Sequence, residues 1–249
     1  MRHASTPRRP RHARLRQLAW RIVRAVGLGA CVAVAVSMLA IVALRWASPP
    51  TTAFMLGHQI GAWRAGTSAA GVRYQWVDWA DINPELAVAV VAAEDQRFRE
   101  HHGLDFAAIR DALEERRREG RVRGASTISQ QVAKNLFLWP GQSWLRKGVE
   151  SYLTVLIELV WSKRRVLEVY LNVAEFGDGV YGVGAASVRF FAREPALIDR
   201  EQAALLAAVL PSPKRLDVSH PSAYVRSRQS WILSQMEQLG GVSYLDDLR

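Results

Sequence analysis

Between Ala25 and Leu44 the chain carries 20 residues without a charge, and apolar side chains cover every side of a helical projection. At about 1.5 Å rise per residue, a helix of that length spans about 30 Å, one bilayer core. A helix at the edge of a soluble core would keep a polar face, and none is present here. The pattern predicts a transmembrane helix over 25–45, with Trp20 and Trp46 bracketing it as interfacial aromatics. A cleaved signal peptide is the competing reading. The run is longer than an ordinary apolar leader core, and no small-x-small site follows it before Arg45 and Trp46.

After the span, residues 46–80 are rich in Pro, Gly, Ala and Trp without a clear period, and read as a linker and membrane-proximal segment. Phe54, Met55, Leu56, Ile60 and Trp63 either dip into the membrane there or pack into a core. Helix signals then recur: Asn83 as cap with Pro84 at the first position, Thr127 with Gln130 and Asp199 with Gln202 as capping boxes, and Ser143 and Ser162 as caps for 144–161 and 163–174. A last helix over about 221–239 ends at Gly240 and Gly241. The stretch from Val72 to Val77 is strand-like. The expected class is mostly α, with one globular domain after the linker.

Charge changes this picture less than its total suggests. Lys and Arg number 33 against 23 Asp and Glu, a net of +10, but eight Arg fall within residues 1–24 and the first acidic residue is Asp78. The remainder carries 25 basic and 23 acidic groups, which argues against a nucleic-acid-binding domain. A basic tail before an apolar span is instead the positive-inside signature, placing the N-terminus in the cytoplasm and the globular part outside. The single cysteine, Cys31, falls inside the span, so no internal disulfide or Cys-rich metal site is available.

Walker A, HExxH and GxSxG patterns are absent. Gly177, Gly179 and Gly182 spell GxGxxG, but they follow a helical pattern rather than a strand, and read as a turn that lets backbones approach. Candidate chemistry sits in three stretches. EDQRFREHHG, residues 94–103, ends an apolar helix, and Glu94 continues the stripe of Val90 and Val91. Partial desolvation there raises a carboxyl pKa toward the range of a general base. A lone Glu at a helix end is ordinarily solvated; here Asp95 is adjacent, His101 and Gly103 close the turn, and Phe98 can shield the carboxylate. GASTISQQVAKN, residues 124–135, runs a loop into a capped helix carrying Ser126, Thr127, Gln130, Gln131, Lys134 and Asn135. Its N-terminus suits an anion, with Gln130 and Lys134 four apart on one face, although an ordinary amphipathic helix reads the same way. RKGVE, residues 146–150, pairs Arg146 with Glu150 at i,i+4 beside Lys147, as any solvated helix does.

Together the three stretches resemble the motifs of the family 51 peptidoglycan glycosyltransferases, EDxxFxxHxG, GxSTIxQQxxKN and RKxxE, in the same order and with similar gaps. Lys163 to Asn172 with Glu175 to Gly177, and Ala203 to Pro213, are similar to two further family elements. The resemblance implies a lysozyme-like glycosyltransferase domain over 81–249 that polymerises lipid II through β-1,4 bonds with inversion and releases undecaprenyl pyrophosphate. Glu94 is then the base for the acceptor 4-hydroxyl. Glu150 is the second carboxylate, orienting Lys134 and Arg146 or holding a divalent metal such as Mg²⁺ near the diphosphate. Lys134, Arg146 and Lys147 neutralise the leaving group; Ser126, Thr127, Gln130, Gln131 and Asn135 position sugars and phosphates; Asp95, Phe98, His101 and Gly103 support them. No organic cofactor is implied, and the metal ligands are left open.

The implied partners are lipid II, the growing glycan strand and the membrane, with division or elongation proteins as further candidates and no nucleic acid. The implied location is the inner membrane, single-pass, with the catalytic domain periplasmic. No Ser precedes a Lys by three residues, so a β-lactam-sensitive transpeptidase is not expected. Two rivals keep the same fold: a glycan-cleaving enzyme, which does not need the cations of the second and third stretches, and a non-catalytic assembly scaffold, which does not need Glu94.

Overall fold

The computed structural model describes residues 11–66, 71–119, 126–141 and 143–248. Of the basic tail, residues 1–10 lie outside the described residues, as do Gly124 and Ala125 of the second motif. The chain forms two compact units, Met1–Ala43 and Leu44–Arg249. The first contains most of one helix, α1 (Arg11–Leu44), whose stretch Trp20–Leu44 has a mean hydropathy of 2.5 and is long and apolar enough to cross a membrane.

The second unit is built around α3 (Pro84–Glu94). Asn83 caps it by accepting the Glu85 amide at 3.0 Å, with Pro84 at the first position. Leu86 through Ala92 are all buried, so this helix is apolar all round and belongs at the centre. It packs against α7 (Lys163–Val173), α9 (Arg200–Val209) and α10 (Ala223–Gln238). Against α7 lies α5 (Ile128–Phe137), which also packs on α6 (Trp144–Val160). The capping boxes Thr127/Gln130 and Asp199/Gln202 and the caps Ser143 and Ser162 form as their spacing predicts.

Several elements differ from the sequence expectation. The segment 46–80, read as a linker, carries the helix α2 (Ala53–Arg64) and the strand β1 (Arg73–Tyr74), and it belongs to the same compact unit as the rest. Asn172 clamps this segment: its Oδ1 accepts the Val77 amide at 2.7 Å and its Nδ2 donates to the Val77 carbonyl at 2.9 Å. The apolar set on α2 divides, with Met55 buried and Leu56, Ile60 and Trp63 exposed. A helix α4 (Phe106–Glu119) follows Asp105, which accepts the Ala108 amide at 2.8 Å.

The glycine-rich stretch is a hairpin, β2 (Glu175–Gly177) and β3 (Val180–Tyr181), leading into α8 (Gly182–Phe191). β1 joins β3 in parallel, giving the order β1-β3-β2. Gly182 has φ +78°, and a Cβ there would lie 2.4 Å from the Asn172 carbonyl oxygen, so the backbone approach demands glycine.

Candidate active site

Glu94 is the last residue of α3, and Asp95 leaves the helix with φ −158°. The break turns two adjacent carboxylates to different tasks. Asp95 is buried and structural: both its oxygens lie within 3.0 Å of His101 Nε2, and its Oδ2 accepts the Ile128 amide at 3.0 Å. It thereby fixes the N-terminus of α5. Thr127 reinforces the junction by donating its hydroxyl to the Gly103 carbonyl at 2.6 Å. Phe98 is fully buried, with the Lys163 ammonium 4.5 Å above its ring and His101 edge-on. Gly103 has φ +88° against Thr154 and Glu158, where a side chain finds no room.

Glu94 has a 14 % exposed side chain. Its Oε2 accepts from Gln131 Nε2 at 2.8 Å, and Arg228 of α10 reaches to 3.5 Å from Oε1. Burial pushes its carboxyl above the ordinary carboxylate range, with Gln131, Arg228 and Lys134 partly opposing the rise and Asp95 adding to it. Gln131 is held from the other side by the Tyr170 hydroxyl, 3.1 Å from its Oε1.

A second charge group lies on α5 and α6. Glu150, 3 % exposed, takes Arg146 on one oxygen at 2.9 Å and Lys147 on the other at 2.5 Å. Lys134 makes no ion pair among the described residues; its ammonium stands 5.6 Å from the Phe54 ring of α2. Burial lowers its pKa; Glu150 and Glu94 pull it back up, and Arg146 and Lys147 push it further down. Glu94, Lys134, Arg146, Lys147 and Glu150 therefore form one electrostatic neighbourhood, rich in cations and partly withdrawn from water.

A cavity of about 390 Å³ opens beside Glu94, lined among others by Asp95, Asp105, Ser126, Thr127 and Trp231. That volume is in the range of small-molecule sites. Ser126 is exposed at its rim, and Asn135 is nearly buried on α5. Gln130 departs from the expected substrate contact. It is 3 % exposed, and its Oε1 accepts the Thr127 amide, so Thr127 and Gln130 are occupied as a cap. Arg228, Tyr170 and Trp231 escaped the sequence reading because nothing local links them to Glu94; Arg228 is 134 residues away.

Glu150 is a poor metal ligand as it stands, since both its oxygens are taken by cations. Elsewhere His58, Glu175 and Asp178 bring ligand atoms within 4.8 Å of one another. The Lys214 ammonium, 3.7 Å from Glu175 and 3.5 Å from Asp178, supplies positive charge to that cluster.

The model of the transglycosylase family matches residues 63–237. The chain is 50% identical over 238 residues to a biosynthetic peptidoglycan transglycosylase of Xanthomonas campestris pv. campestris strain B100, covering 96% of this chain and 94% of that one. Proteins of the same name from Pseudomonas entomophila strain L48 and Xylella fastidiosa strain 9a5c are 53% and 52% identical, over 85% and 84% of this chain and 89% and 86% of theirs.

Proposed function

The chain belongs to the transglycosylase family and is a peptidoglycan glycosyltransferase, and on that premise we propose that it polymerises lipid II with Glu94 as general base. The 4-hydroxyl of the acceptor N-acetylglucosamine attacks the anomeric carbon of the donor N-acetylmuramic acid. The new C–O bond forms as the bond to the pyrophosphate breaks on the opposite face, so an α-linked donor becomes a β-1,4 product. The hydroxyl proton passes to Glu94, and undecaprenyl pyrophosphate leaves with the electron pair.

A pyrophosphate needs its negative charge met more than it needs a proton. Lys134, Arg146 and Lys147 supply that charge, while Glu150 holds the latter two in place at 2.9 and 2.5 Å. Gln131 holds the base at 2.8 Å, and Ser126 and Asn135 are left to contact substrate around this centre. A divalent ion such as Mg²⁺ would add charge at the diphosphate itself. The helix over Trp20–Leu44 anchors the domain in the inner membrane with its N-terminus cytoplasmic, on the side its Arg-rich tail favours. The catalytic unit then faces the periplasm, in reach of the lipid-held substrate.

The observation that carries this reading is the buried Glu94 carboxylate, bonded by Gln131 and set in the field of Lys134. The test is a polymerisation assay with labelled lipid II in detergent, comparing wild type with Glu94→Gln, beside an assay on preformed glycan. Polymer from wild type that lysozyme digests, and none from a folded Glu94→Gln protein, supports synthesis with Glu94 as base. Shortening of preformed glycan by the wild type, or polymer from both proteins, overturns it.

A further inference from the structure

Tyr170 belongs to none of the groups assigned above, yet its hydroxyl lies in the most guarded part of the site. The side chain is 1 % exposed, in the second half of α7. Its hydroxyl meets Gln131 Oε1 at 3.1 Å, and the other end of the same amide, Nε2, meets Glu94 Oε2 at 2.8 Å. A carboxamide has one accepting end and one donating end, and the two differ only by a half-turn about the last side-chain bond. Turned the other way, Gln131 would set its oxygen against the carboxylate and leave the Tyr170 hydrogen without that acceptor.

We propose that Tyr170 is a positioning residue, whose buried hydroxyl, by donating to Gln131 Oε1, fixes the amide so that Nε2 faces Glu94. The inference rests on the reading of Glu94 as general base. A fixed donor favours the ionised carboxylate, the form able to take a proton from the acceptor hydroxyl. Tyr170 is well suited to the task because burial, with Glu94 and Asp95 nearby, pushes its phenol well above its ordinary pKa and keeps it a donor. Its backbone cannot drift easily either: on the same helix Asn172 clamps Val77 and Glu168 accepts the Trp79 amide at 3.0 Å.

The groups facing Glu94 come from each helix packed around it. Gln131 and Lys134 stand on α5, Arg228 on α10, Tyr170 on α7 through Gln131, and Asp95 follows it in the chain. Lys134 and Arg228 supply field whichever way the amide lies. Among the described residues, the Tyr170 hydroxyl is the group that holds the accepting end of that amide.

The test is the pH profile of kcat/KM for lipid II polymerisation by the full-length protein in detergent, for wild type, Tyr170→Phe, Gln131→Met and the double variant, with Glu94→Gln as control. Activity rises on the acid side as the base ionises. Losing the donor raises the base's pKa, so the acid limb of Tyr170→Phe should move up by roughly half to one pH unit. Gln131→Met should move it in the same direction. The double variant should match Gln131→Met alone, since without the amide the hydroxyl has nothing to orient.

A Tyr170→Phe limb at the wild-type position, or a uniform loss at all pH values that adds to that of Gln131→Met, marks a merely structural tyrosine and overturns the proposal. Should Tyr170→Phe fail to fold, the Gln131→Met limb decides, because an unmoved limb removes the donor on which the proposal depends. Wild-type activity in Glu94→Gln sinks the base assignment itself, an outcome distinct from failure of Tyr170.

Discussion

The Asp95 carboxylate accepts the backbone amide of Ile128 at 3.0 Å, binding the end of α3 to the first turn of α5 across 33 residues. The same carboxylate holds His101 Nε2 with both oxygens. The two helices bearing Glu94 and Gln131 are thus locked at the point where those side chains meet. Asp95→Asn keeps the shape but puts an NH₂ group where one acceptor stood, leaving a buried donor facing Ile128 or His101. The loss should be about 1–3 kcal/mol, lowering Tm by roughly 2–12 °C, with kcat falling alongside. Tryptophan-fluorescence melting and a polymerisation assay on the same preparation check both. An unchanged Tm would mean that the lock carries no weight.

The pH profile should be a bell with both limbs displaced inward. Burial raises Glu94, so the acid limb, where the base becomes ionised, should lie above the ordinary carboxylate value of about 4.3. Burial lowers Lys134, so the alkaline limb, where the ammonium is lost, should lie below the ordinary lysine value of about 10.4. Lys134→Arg stays charged throughout and should carry activity to higher pH, even with a reduced maximum. An alkaline limb identical in wild type and Lys134→Arg would assign that limb to another group.

Glu150→Gln should injure the protein in a different way. It leaves the mostly buried Arg146 and the half-exposed Lys147 without their shared counter-charge, at a cost of about 1–3 kcal/mol. Glu150 is also the largest influence holding the Lys134 pKa up against burial. Its loss should move the alkaline limb to lower pH while the acid limb, set around Glu94, stays near its place. A profile that only shrinks, with both limbs fixed, would make Glu150 a scaffold for α6 and nothing more.

What could be read from the sequence follows the range of the interactions involved. A cap joins a side chain to an amide two or three residues on, so Asn83, Ser143, Ser162, Thr127 and Asp199 are recognisable without knowledge of the fold. The long apolar run of α1 is equally local. α2 was hidden because Phe54, Met55, Leu56, Ile60 and Trp63 do not keep to one face, and the structure divides them between core and surface. Gln130 illustrates the limit of periodicity: its position shares a face with Lys134, but its side chain turns back into the cap. Arg228 and Tyr170 reach Glu94 and Gln131 through tertiary packing alone, with 134 and 39 residues between partners.

Gly182 offers a stability test away from the chemistry. Its φ of +78° disfavours any L side chain, and a Cβ would meet the Asn172 carbonyl at 2.4 Å. Asn172 is the residue that clamps Val77, so the chain cannot yield there without loosening the 71–80 segment. Gly182→Ala should cost roughly 3 kcal/mol or more and lower Tm by about 6–12 °C. Gly71→Ala, with nothing within 4 Å of its Cβ, serves as the control and should leave Tm unchanged. Equal melting of the two variants would contradict the close approach of α8 to α7.

The division of the chain at residue 43 predicts what removal of the apolar helix does. Leu44–Arg249 forms a compact unit by itself, and the carbonyls of Leu44 and Ala47 are held inside it by Arg165 at 2.9 and 2.7 Å. A protein lacking residues 1–40, which keeps the fully buried Ile41, should therefore melt as the full chain does and polymerise lipid II in detergent at a similar rate. On vesicles the outcome should differ. With the apolar helix anchored as proposed, enzyme and substrate are confined to one surface, and its loss removes an effective-concentration gain on the order of a hundredfold. The truncated protein should then float apart from vesicles and turn over their lipid II far more slowly, with the deficit closing as enzyme concentration rises. Equal rates on vesicles would show that the catalytic unit binds the membrane well enough without its helix. A lowered Tm in detergent would show that the unit does not end where its contacts do.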